Sequence, residues 1–165
     1  MRIAIAAPRG THPQLESALR ERYGLGEIVV AECFGDRKES VVSAIGAAAA
    51  HYIEITLSEG DVIGISAWSV SLLRMVDAIH PLKQPRAERV VQILGGIGNP
   101  AVQSHATQLT TRLALLTRVQ AQLLPAQGVV NSAAARLVLL GDPYVRAPMD
   151  QFRRMTIALV GIGAL

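Results

Sequence analysis

The hydroxyls of Ser66, Ser69 and Ser71 fall within six residues, directly after the apolar run 62–65. A Gly60-Asp61 turn leads into that run, and Leu72, Met75, Val76 and Ile79 follow the serines at helical spacing. Strand, small polar loop and helix therefore succeed one another. In open parallel sheets ligands bind where strands end and helices begin. The free amides of a helix's first turn, and the positive end of its dipole, suit an anion such as phosphate. Three hydroxyls at that place add donors. Serine is also a preferred N-cap, so capping and ligand contact are both open to these residues.

The arrangement repeats. Residues 90–94 read as a strand, and Gly95-Gly96-Ile97-Gly98-Asn99 follows before a helix predicted over 100–116. Adjacent glycines permit positive φ and close approach of a ligand to the backbone. The pattern matches neither the dinucleotide fingerprint nor the phosphate loop with its lysine; its weight comes from recurring after a second strand. The two lysines, Lys38 and Lys83, read as surface residues, which argues against Schiff-base chemistry. Four histidines and one cysteine are scattered without metal-ligand spacing, and His105 reads as a surface or half-buried residue. Asp61 serves the turn before the central strand, and Asp77 an exposed helix face. There is no Gly-x-Ser-x-Gly elbow. Anion binding without an acid, base or nucleophile points to a receiver of ligand rather than an enzyme, with no cofactor and no metal.

These loops need a scaffold. The 165 residues suit one domain, and with half of them hydrophobic but only 4% aromatic the core is aliphatic. The net charge of +3 comes from basic residues spread singly or in pairs, without the basic aromatic stripe of a nucleic-acid surface. The single cysteine, Cys33, excludes an internal disulfide, fits a reducing cytoplasm and reads as a packed structural residue. No signal peptide and no run of ~18 apolar residues for a membrane span is visible.

Residues 3–7 alternate like a short strand. Thr11 looks like an N-cap, with Pro13 and Glu16 early in a helix whose stripe is Leu15, Leu19 and Tyr23, stopped at Gly24 or Gly26. Residues 27–32 read as a first core strand. Asp36 and Ser40 offer starts for a helix with Val41, Val42, Ile45, Ala48, Ala49, Tyr52 and Ile53 on its apolar face. Residues 120–124 are a further strand, Ser132 caps a helix over 133–140, and Asp142-Pro143 starts another running toward Arg154. Residues 157–163 read as a buried strand ending in Gly161-Ile162-Gly163, like the opening of a third loop. The alternation gives a three-layer α/β domain, Rossmann-like, with a mostly parallel sheet and right-handed crossovers. Stopping at that third loop suggests a fragment, incomplete at its C-terminus. An uncovered sheet edge would be sticky, so self-association is expected.

Five segments, taken in order, resemble the sugar-binding domain of SorC-type transcriptional regulators. They are Leu15-Glu16 with Tyr23-Gly24-Leu25, then Gly60-Asp61-Val62-Ile63-Gly64-Ile65-Ser66, then Gln92-Ile93-Leu94-Gly95-Gly96-Ile97-Gly98, then Arg136 with Asp142-Pro143, and finally Ala158-Leu159-Val160-Gly161-Ile162-Gly163. The similarity runs from about residue 10 to the end. It implies a fold similar to sugar-phosphate isomerases and glucosamine-phosphate deaminases. It also implies a domain that senses a small sugar or sugar phosphate, works as a homo-oligomer, and controls operator DNA through a helix-turn-helix region absent from this sequence. Carried over residue by residue, Ser66, Trp68, Ser69 and Ser71 on one loop, with Gly95, Gly96, Gly98 and Asn99 on the other, would hold the ligand. The family commonly has Ser-Trp-Gly-Arg-Thr-Leu after the central strand. Here residues 66–72 carry one extra residue and no Arg, so a strong bidentate anion partner is missing. Thr156 stands where an acidic residue is expected, and the closing part of the usual sensor domain is absent. The alternative implied by the fold is a sugar-phosphate isomerase or deaminase, against which the missing acid–base set speaks.

Overall fold

The structure is a computed structural model that describes residues 12–66, 68–96 and 100–162, with the backbone alone for 100–104. In chain order the elements are α1 (Pro13–Tyr23), α2 (Lys38–Thr56), β1 (Asp61–Ile65), α3 (Val70–Ala78), β2 (Ala87–Gln92), α4 (Pro100–Thr117), β3 (Gln120–Gln122), α5 (Ala133–Gly141), α6 (Pro143–Asp150), a 3-10 turn (Gln151–Arg154) and β4 (Ile157–Leu159). The four strands make an all-parallel sheet in the order β3-β2-β1-β4.

That order follows from the connections. Right-handed crossovers through α3 and α4 step the chain from β1 to β2 to β3 and keep both helices on one face. The return to β4 steps the other way, through α5, α6 and the 3-10 turn. The first face buries Ile63 and Ile65 of β1 with Leu72, Met75 and Val76 of α3 and Leu109 and Leu113 of α4. Ile63 and Ile65 have no exposed surface; full burial of such a side chain contributes roughly 1.5–3 kcal/mol. The second face carries Gly64, where a Cβ would overlap Met155 Sδ and Ile93 Cγ2, so the missing side chain lets the segment before β4 press onto the sheet. Gly46 of α2 is as tight against α3: a Cβ there would overlap the backbone of Arg74. β1 thus lies between two packed layers, as its unbroken apolar run requires.

Three helix starts follow their capping chemistry, whereas α2 begins at Lys38 behind Arg37, with no side-chain cap, and not from Asp36 or Ser40 as expected. Ser69 Oγ accepts from Leu72 N, Ser132 Oγ from Ala135 N at 3.1 Å, and Asp142 Oδ1 from Tyr144 N at 2.8 Å, with Pro143 in the first turn of α6. Gly24 ends α1 in the left-handed conformation at φ 63°.

Several expectations are corrected. Residues 27–32 join no ladder among the described residues: Val30 N donates to the Glu16 carboxylate at 2.9 Å, and Val29 is half exposed. The apolar stripe of α1 stays in water, since the helix has no buried residue. β2 is shifted toward the N-terminus of the expected 90–94, and β3 stops two residues short of 124. The run 157–163 was expected to be buried, yet β4 spans only Ile157–Leu159 and leaves Ala158 and Val160 exposed, because it is the edge strand. The sheet, expected to be mostly parallel, has no antiparallel pair among the described residues. The expected strand at 3–7 and the expected cap at Thr11 lie outside the described residues.

Candidate functional site

β1, β2 and β4 end side by side. Ile65 of β1 is in register with Gln92 of β2 and with Leu159 of β4. The chain steps from β1 toward β3 on one side and returns to β4 on the other. The crevice over the β1–β4 boundary is therefore the topological switch point where open α/β sheets take their ligands.

Ser66 sits at that crevice. Its N–H donates to Leu159 O at 2.9 Å, which carries the β1–β4 ladder one residue past β1. Its Oγ accepts from Gly161 N at 3.4 Å. Ser69 comes back over the same place, and a Cβ on Gly161 would overlap Ser69 Cβ and Oγ. Ser69 Oγ also accepts from Leu72 N, again at 3.4 Å. Both hydroxyl contacts are long against the usual ~2.9 Å, so neither hydroxyl gives up much by turning to a ligand. Ser69 is extended (φ -118°, ψ 127°), the ordinary geometry of an N-cap. Capping and availability for a ligand thus coexist in one side chain. Ser71 is half-buried in the first turn of α3.

Trp68 is half-buried between the two serines. Its indole Nε1 is shut off from solvent and has no hydrogen-bond partner. Gln92 at the end of β2 is fully buried; its Nε2 donates to Leu94 O at 2.9 Å, while its Oε1 is buried and unpartnered. Native interiors rarely leave such groups unpaired; Trp68 stands in the turn before α3 and Gln92 closes β2.

The glycine corner differs from expectation. Gly96 N donates to Ala126 O at 3.0 Å, Gly96 O accepts from Gly128 N at 2.8 Å, and Gly96 bridges Gln127 in parallel fashion. A Cβ on Gly95 would overlap Ala126 O. The close approach these glycines permit is made by the chain's own backbone, where a ligand was expected at Gly95 and Gly96. Gly98 and Asn99 lie outside the described residues.

Electrostatically the loop is neutral. Residues 66–73 contain no Lys or Arg, and Arg74 turns to Asp77 at 3.8 Å, which also binds Arg112. An anion would rely on the helix dipole and amides alone. Among the described residues no group of three or more His, Cys, Asp or Glu could hold a metal ion. Sequence reasoning placed a third loop at 161–163 but named no site residue on it; Gly161 is the contribution it missed. Gln92 gave no local signal, because nothing in the spacing of 90–94 says that its amide is buried.

Residues 10–165 match the model of the family described as "Putative sugar-binding domain". The chain belongs to this family. It is 28% identical over 151 residues to the sorbitol operon regulator of Klebsiella pneumoniae, covering 91% of this chain. It is 24% identical over 151 residues to the deoxyribonucleoside regulator of Bacillus subtilis (strain 168), covering 92%. The chain spans 48% of each of these curated relatives. Among solved structures it is similar to the sugar-binding domain of a DeoR transcriptional regulator from Pseudomonas syringae pv. tomato. There the identity is 42% and the TM-score 0.78, over 95% of this chain and 66% of that one. The resemblance to regulator sugar-binding domains is thereby shown, and the α/β fold with it.

Proposed function

We propose that this domain senses a small carbohydrate or its phosphate and passes its occupancy to a separate helix-turn-helix region that binds operator DNA. The observation that carries this reading is the Ser66–Ser69–Gly161 corner at the β1–β4 switch point, in a chain of the sugar-binding family. The relatives named for sorbitol and for deoxyribonucleosides are regulators. The mechanism is population shift: ligand favours one arrangement of the corner and of the surfaces around it. Ser66, Trp68, Ser69 and Ser71 remain the proposed contacts; Gly95 and Gly96 shape the neighbouring corner from behind.

The corner carries hydroxyls, an indole and an amide, and neither a carboxylate nor an imidazole is among them. That supports a binder over an isomerase or deaminase. No helix among the described residues is long and apolar enough to cross a membrane, which supports a cytoplasmic setting. Among the described residues no strand pairs with the outer edge of β4, which supports a homo-oligomer; a sedimentation profile that stays monomeric at high concentration would remove that part.

A thermal-shift screen against free and phosphorylated sugars tests the reading. A ligand at a hundred times its dissociation constant stabilises the fold by about 2.7 kcal/mol, a rise in Tm that is easily read. No rise with any sugar or sugar phosphate would sink the reading, and turnover of a pentose or amino-sugar phosphate would replace it with the enzyme.

A further inference from the structure

A groove of about 470 Å³ lies between β4 and the segment 27–32. Glu27, Val29 and Ala31 line one wall, every second residue, as an extended chain would. Residues 157–160 line the other, and Ala49 of α2 and Met75 of α3 also face the space. Ser66 N donates to Leu159 O, so the backbone groups of Ala158 and Val160 turn the other way, to the outer edge. The segment 27–32 runs in the same direction as β4. It starts at Glu27, whose carboxylate accepts from Tyr52 late in α2 at 2.7 Å, and it leads to the start of α2 at Lys38. From there α2 runs back to the beginning of β1. The groove thus has a parallel stretch of chain on either side.

We propose that residues 3–7 of this same chain fill the groove as a strand parallel to β4 and to 27–32. Ile3 and Ile5 alternate with Ala4 and Ala6 and carry no charge into an apolar space. The point from which this stretch departs is set by α1. Glu16, in the first turn of α1, holds Val30 N with its carboxylate, and Glu16 N donates to His12 O at 2.9 Å. His12 therefore stands beside the middle of 27–32. Residues 8–11 span at most ~14 Å, which keeps 3–7 next to that segment. Residues 3–7, α1 and 27–32 then make a strand–helix–strand unit, the usual link between parallel neighbours. Handedness chooses the side. The crossovers from 27–32 to β1, β2 and β3 all step one way along the sheet, and α2, α3 and α4 share one face. A strand at the outer margin of 27–32 would step that way too and lay α1 on the same face, beside α2. A strand in the groove steps the opposite way and lays α1 on the other face. α1 is not packed against α2, which selects the groove. The inference goes beyond the sensing function and does not depend on it. It gives the edge of β4 an occupant within the chain, so that the margin left for a second copy is 27–32.

Nuclear Overhauser contacts and amide hydrogen exchange on the full chain test this. Wild type is expected to show backbone contacts from 3–7 to Ala158 and Val160 on one side and to Val29 and Ala31 on the other. An isotope-filtered spectrum of mixed labelled and unlabelled chains is expected to show none of these contacts between copies. Ile5→Asp puts a charge into the apolar groove and is expected to speed exchange at the Ala158 and Val160 amides about tenfold or more. Ile5→Val keeps the apolar strand and is expected to leave both rates as in wild type. Contacts to 27–32 alone place the strand at the outer margin and overturn the inference. Contacts found only between copies overturn it in favour of a second chain. Random-coil shifts throughout 3–7, or unchanged exchange in Ile5→Asp, also overturn it. Should Ile5→Asp fail to fold, the wild-type contacts and their persistence in Ile5→Val decide.

Discussion

Gly161 lies directly against Ser69: a single added methyl group on Gly161 would overlap Ser69 Cβ and Oγ. The end of the edge strand and the cap of α3 are in van der Waals contact, and Gly161 N reaches Ser66 Oγ at the same spot. Gly161→Ala is expected to destabilise the domain by about 1–3 kcal/mol through overpacking, and to weaken any sugar ligand by displacing the serine loop. Gly141→Ala is the matched control. Gly141 ends α5 with nothing within 4 Å of an added Cβ, so this change is expected to raise stability by about 0.4–1 kcal/mol. Urea unfolding measures both; a neutral Gly161→Ala would contradict the packing described.

Ser69 holds two jobs that substitution separates. Ser69→Ala removes the cap on Leu72 N and is expected to cost about 0.5–1 kcal/mol, toward the low side because the bond is long. Ser69→Asp keeps a capping oxygen and suits the helix dipole, so its Tm is expected to hold while affinity for any phosphorylated ligand falls. If Ser69→Asp binds a sugar phosphate as wild type does, the hydroxyl is a cap alone.

The clip between Gly95–Gly96 and 126–128 predicts a structural rather than a ligand phenotype. Gly95→Ala drives a Cβ into Ala126 O and is expected to cost about 1–3 kcal/mol in the absence of ligand. Faster hydrogen exchange at the Gly96 and Gly128 amides should accompany it. Wild-type exchange rates at both would refute the clip.

Glu54 ties the last turn of α2 to the end of α3. Its carboxylate accepts from His80 N at 2.7 Å, and this bond, with the His80 ring and His51 nearby, holds its pKa below the usual 4.5 against a smaller opposing effect of burial. A depressed folded pKa contributes stability that is present above the unfolded value and lost as pH falls through the folded one. The Tm gap between wild type and Glu54→Gln is therefore expected at pH 6–7, should shrink as pH falls below the usual 4.5, and should close once pH has passed below the folded value. A gap that widens in acid would reverse the assignment.

The buried elements were legible because burial leaves a periodic mark. The run 62–65 and the spacing of Leu72, Met75 and Val76 specify β1 and α3, and Ile63 and Ile65 share one core with those three helix residues. The run 27–32 was misread for a related reason. β-branched residues report fitness for a pleated, half-buried surface, but a strand also needs a neighbour, and here a glutamate takes one of its amides. At Gly95–Gly96 glycine announced a close approach without saying what approaches; the answer is backbone. Trp68 could be placed by its loop, whereas the unpaired state of Gln92 exists only once α3 and α4 cover it.

Neither α1 nor α5 contributes a buried residue, although α5 carries Leu137 and Val138 on its surface, 68% and 77% exposed. Melting these two helices brings little new apolar area into contact with water. The calorimetric trace of this chain should therefore show a heat-capacity step below the ~12–15 cal/mol/K per residue common to globular domains. Its curve of stability against temperature is correspondingly flat, and cooling should weaken it less than its length suggests.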